Sequence, residues 1–138
     1  MNHRLYRIAI GYFALFSLML LGSGAWMFFQ KTGFALAKIT AYYGTKSVEG
    51  VWELSYPHLG GIGLFIMVLG HFFMFTPLRH HVHKGFILLF VTALLMIFTP
   101  FGLIAGWGWL SIIKFFSVIS VLAFGEYYAL CLIFLIKY

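Results

Sequence analysis

Four side chains of this sequence carry ionisable groups inside long apolar runs: His58, His71, Lys114 and Glu126. Such groups cost about 2.5–3.5 kcal/mol at the centre of a bilayer and are functional candidates by default. His71 lies roughly 6–9 Å from the inner end of its run, and Glu126 about 15 Å from the inner end of a longer one, so helix tilt can bring them together. Paired with an imidazole, a carboxyl can hold or relay a proton. Tyr127 and Tyr128 follow at once and add polar tips. Histidine, glutamate and tyrosine in an apolar bundle form a set that can bind a quinone head and take up its protons. His58, His71, Glu126 and Tyr127 are therefore the expected cofactor-binding residues. A plain interhelical hydrogen bond, worth about 1 kcal/mol in membranes, is the structural alternative for His71 and Glu126.

Haem b is the second chemistry these residues suggest. His58 and His71 are the candidate iron ligands, about 20 Å apart along one helix, a spacing that suits one haem in each leaflet. Their side chains diverge by about 140° around a straight helix, and no other apolar run contains a histidine. Bis-histidine ligation would then draw on another subunit or a second copy. Lys114 sits roughly 6 Å into its run. Glu53 is close to it in height, so a Glu53–Lys114 pair or a snorkelling lysine accounts for this residue. The cluster Arg79-His80-His81-Val82-His83-Lys84 is a short basic turn between apolar runs. H-H-x-H without an acidic or cysteine partner is a weak metal signature.

These residues need a membrane to position them. Of 138 residues, 63% are hydrophobic and 9% charged, whereas a soluble domain carries about 25% charged residues. Four runs approach the roughly 20 residues a helix needs to span hydrocarbon. They predict helices over about 8–29, 57–75, 85–105 and 110–136. Backbone facing lipid must satisfy its own hydrogen bonds, so each run is expected to be helical. The expected fold is all-α: an integral membrane four-helix up-down bundle forming a single transmembrane domain over 1–138. In the loop between the first two runs, Phe34, Leu36, Ile39, Tyr42 and Tyr43 recur at helical spacing and predict a short interfacial helix. Trp52, Tyr56, Trp107 and Trp109 suit an aromatic belt. Gly60, Leu64, Met67, His71 and Met74 share one stripe, which is expected to pack against protein. The basic start followed by an apolar run imitates a signal peptide. Apolar character continues past Gly22-Ser23-Gly24-Ala25 through Phe29, so a retained signal-anchor helix is expected.

The net charge is +6, with the basic residues flanking apolar runs rather than forming a stripe for a phosphate backbone, so no nucleic-acid partner is expected. Arg4, Arg7, Arg79, Lys84 and Lys137 fall on one side, and Lys31, Lys38, Lys46 and Lys114 on the other. The positive-inside rule then places both termini in the cytoplasm of a bacterial inner membrane. The single cysteine, Cys131, has no partner for an intrachain disulfide. Phosphate-loop, dinucleotide-binding and H-E-x-x-H motifs are absent, and the chain is not expected to be an enzyme on its own.

Tyr42-Tyr43-Gly44, Pro57-His58-Leu59 and Leu69-Gly70-His71 together resemble small uncharacterised bacterial four-helix membrane proteins, whose second helix carries a similar H-L…L-G-H pattern. The resemblance covers roughly residues 42–75 and implies four helices. More loosely, the two-histidine helix is similar to membrane b-type cytochrome subunits. The expected function is a membrane subunit of an electron-transfer complex contacting quinone or haem b. Its expected partners are the lipid bilayer and either membrane or periplasmic redox subunits or further copies of itself. The alternatives are an oligomeric proton or solute channel, with Glu126 and His71 lining the path, and a non-catalytic assembly scaffold.

Overall fold

The computed structural model describes residues 3–76 and 79–135. The side chains of His3, Arg79, His80, His81 and Leu135, and all of 136–138, lie outside the described residues. The side chains of His80 and His81, the end of the predicted fourth helix and Lys137 fall there; the backbone of Arg79-His80-His81-Val82-His83-Lys84, expected as a turn, instead opens α4.

All regular structure among the described residues is helical. The order is α1 (His3–Thr32), α2 (Leu36–Gly44), α3 (Val48–Met74), α4 (Arg79–Ile104) and α5 (Leu110–Leu135). Helices α1, α3, α4 and α5 are each long and apolar enough to cross a membrane. They alternate in direction, so one end of the bundle carries α2 and the α4–α5 turn, and the other carries the termini. The chain is a multi-pass membrane protein built as an up-down four-helix bundle.

Helix α3 begins at Val48, nine residues before the predicted start at Pro57. A proline inside a helix forfeits one hydrogen bond, yet the helix runs through Pro57 because a strong signal starts it upstream. Ser47 adopts extended backbone and its hydroxyl accepts from the Gly50 N–H at 3.1 Å. Glu49 in the first turn complements the positive helix end. Ser47→Ala is expected to cost about 1 kcal/mol, read as a lower thermal midpoint in detergent.

Helix α2 forms where the aromatic spacing predicts it, but its inner face rests on protein. Ile39 and Tyr43, one turn apart, are buried with Leu103 against Leu110, Phe115 and Phe28. The turn from α1 into α2 places Gly33 (φ 55°) and Phe34 (φ 56°) in the left-handed region. For Phe34 that conformation is strained. Its ring lies 5.6 Å from those of Phe28 and Phe29 and 6.2 Å from that of Phe115, contacts that hold it there.

The spanning helices pack in the cyclic order α1, α5, α4, α3. The buried face of α3 is Val51, Ser55, Ile62, Phe65, Leu69 and Phe73, which meets Leu89, Ala93, Val121 and Leu132. This corrects the expected packing stripe. Gly60, Leu64, Met67, His71 and Met74 are exposed, because they lie on the opposite side of the helix from that buried face. Small residues permit close approach without requiring it; large apolar side chains half a turn away make the contacts here.

Between α1 and α3 the seam is filled by rings in the half near the termini. Tyr6 meets Phe72 at 5.7 Å, and Phe13 meets Phe72 at 5.3 Å and Phe65 at 6.0 Å. In the half near α2, α1 supplies Ser23 and Gly24 instead, and nothing fills the gap.

Candidate functional site: a polar cavity beneath the short helix

That unfilled seam is a cavity of about 300 Å³ lined by residues of α1, α2, α3, α4 and α5. Its lining is mostly aliphatic, from Leu20, Leu21, Ile62, Ile97, Val118 and Val121. Tyr42 and Tyr43 of α2 line it, and Ser55, His58, Lys31 and Lys114 supply the remaining polar groups. Ser23, Gly24 and His58 are exposed, which places its mouth on the lipid-facing side between α1 and α3.

Lys114 decides the character of the cavity. It is only 7% exposed, the one buried Lys or Arg among the described residues. The expected ion pair with Glu53 does not form, and the lysine does not reach for the surface. Glu53 is exposed, whereas Lys114 Nζ donates to the Met96 carbonyl at 2.5 Å and lies 5.1 Å from the Tyr43 ring. The cause is Pro100, which sits inside α4. Residue 100 would normally donate its N–H to the carbonyl four residues back, which is that of Met96, and proline has no N–H. An unsatisfied carbonyl inside a membrane is costly, and Lys114 supplies the missing donor. A lysine amine carries two N–H groups when neutral and three when protonated. One is used here, and hydrogen bonds from Lys114 Nζ to further protein groups are absent among the described residues. Ser55 reaches the same stretch of α4, donating to the Ile97 carbonyl at 3.3 Å.

His58 lies on the core-facing side of α3, between Ser55 and Ile62 of the buried stripe, and owes its exposure to the cavity. Its Nδ1 is 2.6 Å from the Leu54 carbonyl. A carbonyl only accepts, so Nδ1 carries a proton; the Nδ1–H tautomer of the ring is the one this contact selects. Nε2 is left with its lone pair, able to accept a hydrogen bond or ligate a metal. Tyr43, on α2, is buried. Desolvation, with a smaller contribution from Tyr42, holds its phenol above the ordinary tyrosine range, so it remains a neutral hydroxyl at physiological pH.

The predicted site residues are dispersed. His58 lines the cavity. His71 is exposed on the opposite side of α3, near the terminal end, with its ring edge-on to Phe75 at 5.0 Å. Glu126 is half-buried and Tyr127 exposed on α5. No hydrogen bond or ion pair joins His71 to Glu126 among the described residues. Neither the Glu53 pair nor the snorkelling expected of Lys114 describes it. The signal that identifies it is the pairing of a lysine early in one membrane helix with a proline late in the preceding one, since a short turn brings the two to the same level.

A family of transmembrane helical domains, Aq_1264_TM, matches residues 40–138. The chain belongs to this family. No curated protein and no solved structure matches it. The Aq_1264_TM match contains Tyr42, Tyr43, Ser55, His58, Pro100 and Lys114. The wall contributed by α1, with Ser23, Gly24 and Lys31, precedes it.

Proposed function

We propose that this protein is a membrane subunit of an electron-transfer system, and that the cavity beneath α2 receives a quinone head. The observation that carries this reading is the cavity's polar chemistry. Its basic groups are two lysines, and no carboxylate is among its lining residues. An oxidised quinone presents only carbonyl acceptors. Lys114 has N–H groups to spare, and the walls around it are aliphatic. The mouth between α1 and α3 lets an isoprenoid tail remain in lipid while the head enters sideways. Bound there, a quinone would supply two-electron carriage. The protein's part is to fix the head through Lys114 and to offer His58 Nε2 as a proton acceptor. In this reading α2 lies on the periplasmic face of a bacterial inner membrane, where soluble redox partners dock.

Haem b suits the cavity less well. His58 is its only histidine and gives one axial bond.

The test is solvent extraction of protein purified in mild detergent, followed by ultraviolet spectra of the extract. Quinone is expected at about one per chain. A Cβ built on Gly24 meets nothing within 4 Å, so Gly24→Phe should place its ring at the mouth without unfolding the bundle. Quinone content should fall at least fivefold, with the thermal midpoint held. Wild-type protein that contains no quinone and binds none added back would refute the proposal. A b-type reduced-minus-oxidised spectrum would replace it with the haem reading.

A further inference from the structure

Glu126 plays no part in the cavity. It stands on the edge of α5, with Gly125 and Ala129 buried on one side and Ala123, Tyr127 and Leu130 exposed on the other. No hydrogen bond or ion pair satisfies it among the described residues. It lies about 14 Å from the end of α5, inside the spanning segment, where a carboxyl facing hydrocarbon is costly.

Copies of one chain inserted in the same direction present each residue at a single depth. A group on a second copy that answers Glu126 must therefore be exposed and at nearly the same level. The α4–α5 hairpin fixes that level. Phe86 stacks on Tyr128 with ring centroids 5.0 Å apart. Lys84 precedes Phe86 on the terminal side, and Glu126 precedes Tyr128 on the α2 side. The two are about 6 Å apart along the helix axes, within the reach of a lysine side chain. Lys84 is exposed on the outer face of α4 with Ile87, Leu88 and Val91. His71 is exposed at the same level, two residues toward α2 from Phe73, whose ring meets both Phe86 and Tyr128; it is the competing partner, and an oligomer indifferent to Lys84→Glu would point to it. Arg7 does not qualify. Leu21 packs against Gly125, which leaves Arg7 roughly 20 Å nearer the terminal end. Lys114 is buried.

We propose that copies of this chain pack side by side in the bilayer, with Lys84 of one copy paired to Glu126 of the next. Each copy carries both halves of the contact. The pair removes the unsatisfied carboxyl from lipid and leaves the cavity mouth, between α1 and α3, open.

Native mass spectrometry of the full chain released from mild detergent tests this. The wild type should appear as an oligomer. Lys84→Glu and Glu126→Lys should each raise the monomer fraction about tenfold. Combining them should bring it back within about twofold of wild type, since the charges are exchanged and not lost. Should Glu126→Lys fail to insert, Lys84→Glu alone must still release monomer while Lys84→Arg does not. A monomeric wild type, an oligomer indifferent to Lys84→Glu, or a double variant as monomeric as the single ones would overturn the proposal.

Discussion

Lys114→Met is expected to lower the stability of the bundle by about 1–3 kcal/mol, and Pro100→Ala in the same chain is expected to restore most of it. In the wild type the Met96 oxygen is bonded by Lys114 Nζ because residue 100 has no N–H to give. Methionine fills similar volume and removes a desolvated cation, which is favourable. It also leaves that oxygen without a donor in a region where water is scarce, and this cost is the larger. Alanine at 100 returns the backbone N–H and closes the α4 ladder, so the lysine is no longer needed there. Thermal unfolding of the two single variants and the double in one detergent gives the coupling energy directly. A coupling below about 0.5 kcal/mol would show the contact to be incidental. Ligand content separates the second role of Lys114 from the first. Quinone affinity should fall about 10- to 100-fold in Lys114→Met, as for a lost charge-assisted hydrogen bond, and should stay low in the double variant. Recovery of stability without recovery of binding is the signature of a lysine that both repairs a helix and holds a ligand head. Recovery of both would return Lys114 to a purely structural role.

The same residue shows how far the sequence could be read. Apolar run length and the scarcity of charge define four spanning helices, because hydrocarbon leaves the backbone no other choice. The spacing from Phe34 to Tyr43 likewise defines α2. Pro57 marks the start of the apolar run but not of α3, because the Ser47 cap that starts the helix lies outside that run. The inward face of α3 is hidden in the sequence for a different reason. In a membrane helix apolar residues cover every side, so periodicity does not distinguish the side facing protein from the side facing lipid. Phe65, Leu69 and Phe73 make that choice through partners on α4 and α5. The divergence of the two histidines did follow from helix geometry. A separation of about 140° sets His58 toward the cavity and His71 toward the outside. The cavity itself was not legible, since it arises from what α1 does not place opposite α3. Ser23 and Gly24 stand where Tyr6 and Phe13 fill the other half of the seam.

Gly85→Ala is expected to be the most damaging of the conservative glycine changes, costing about 1–3 kcal/mol. A Cβ there would collide with the Tyr128 hydroxyl and stand 2.9 Å from its Cζ. A flexible side chain would swing away at little cost. Tyr128 is buried, stacked on Phe86 and set edge-on to Phe73 at 5.6 Å, so its ring can move only by disturbing two others. The α4–α5 pair would have to separate instead, and the stacking that fixes its register would weaken with it. Tyr128→Phe removes the colliding oxygen and keeps the ring. Added to Gly85→Ala, it should recover part of the lost stability, since the 2.9 Å approach to Cζ still has to open. Gly22→Ala is the control. Nothing lies within 4 Å of the new methyl, and the change should stay within about 0.5 kcal/mol of wild type. Equal thermal midpoints for Gly85→Ala and Gly22→Ala would mean that the hairpin is looser at its terminal end than the Phe86–Tyr128 stack requires. The depth match between Lys84 and Glu126, which is measured from that stack, would then lose its basis as well.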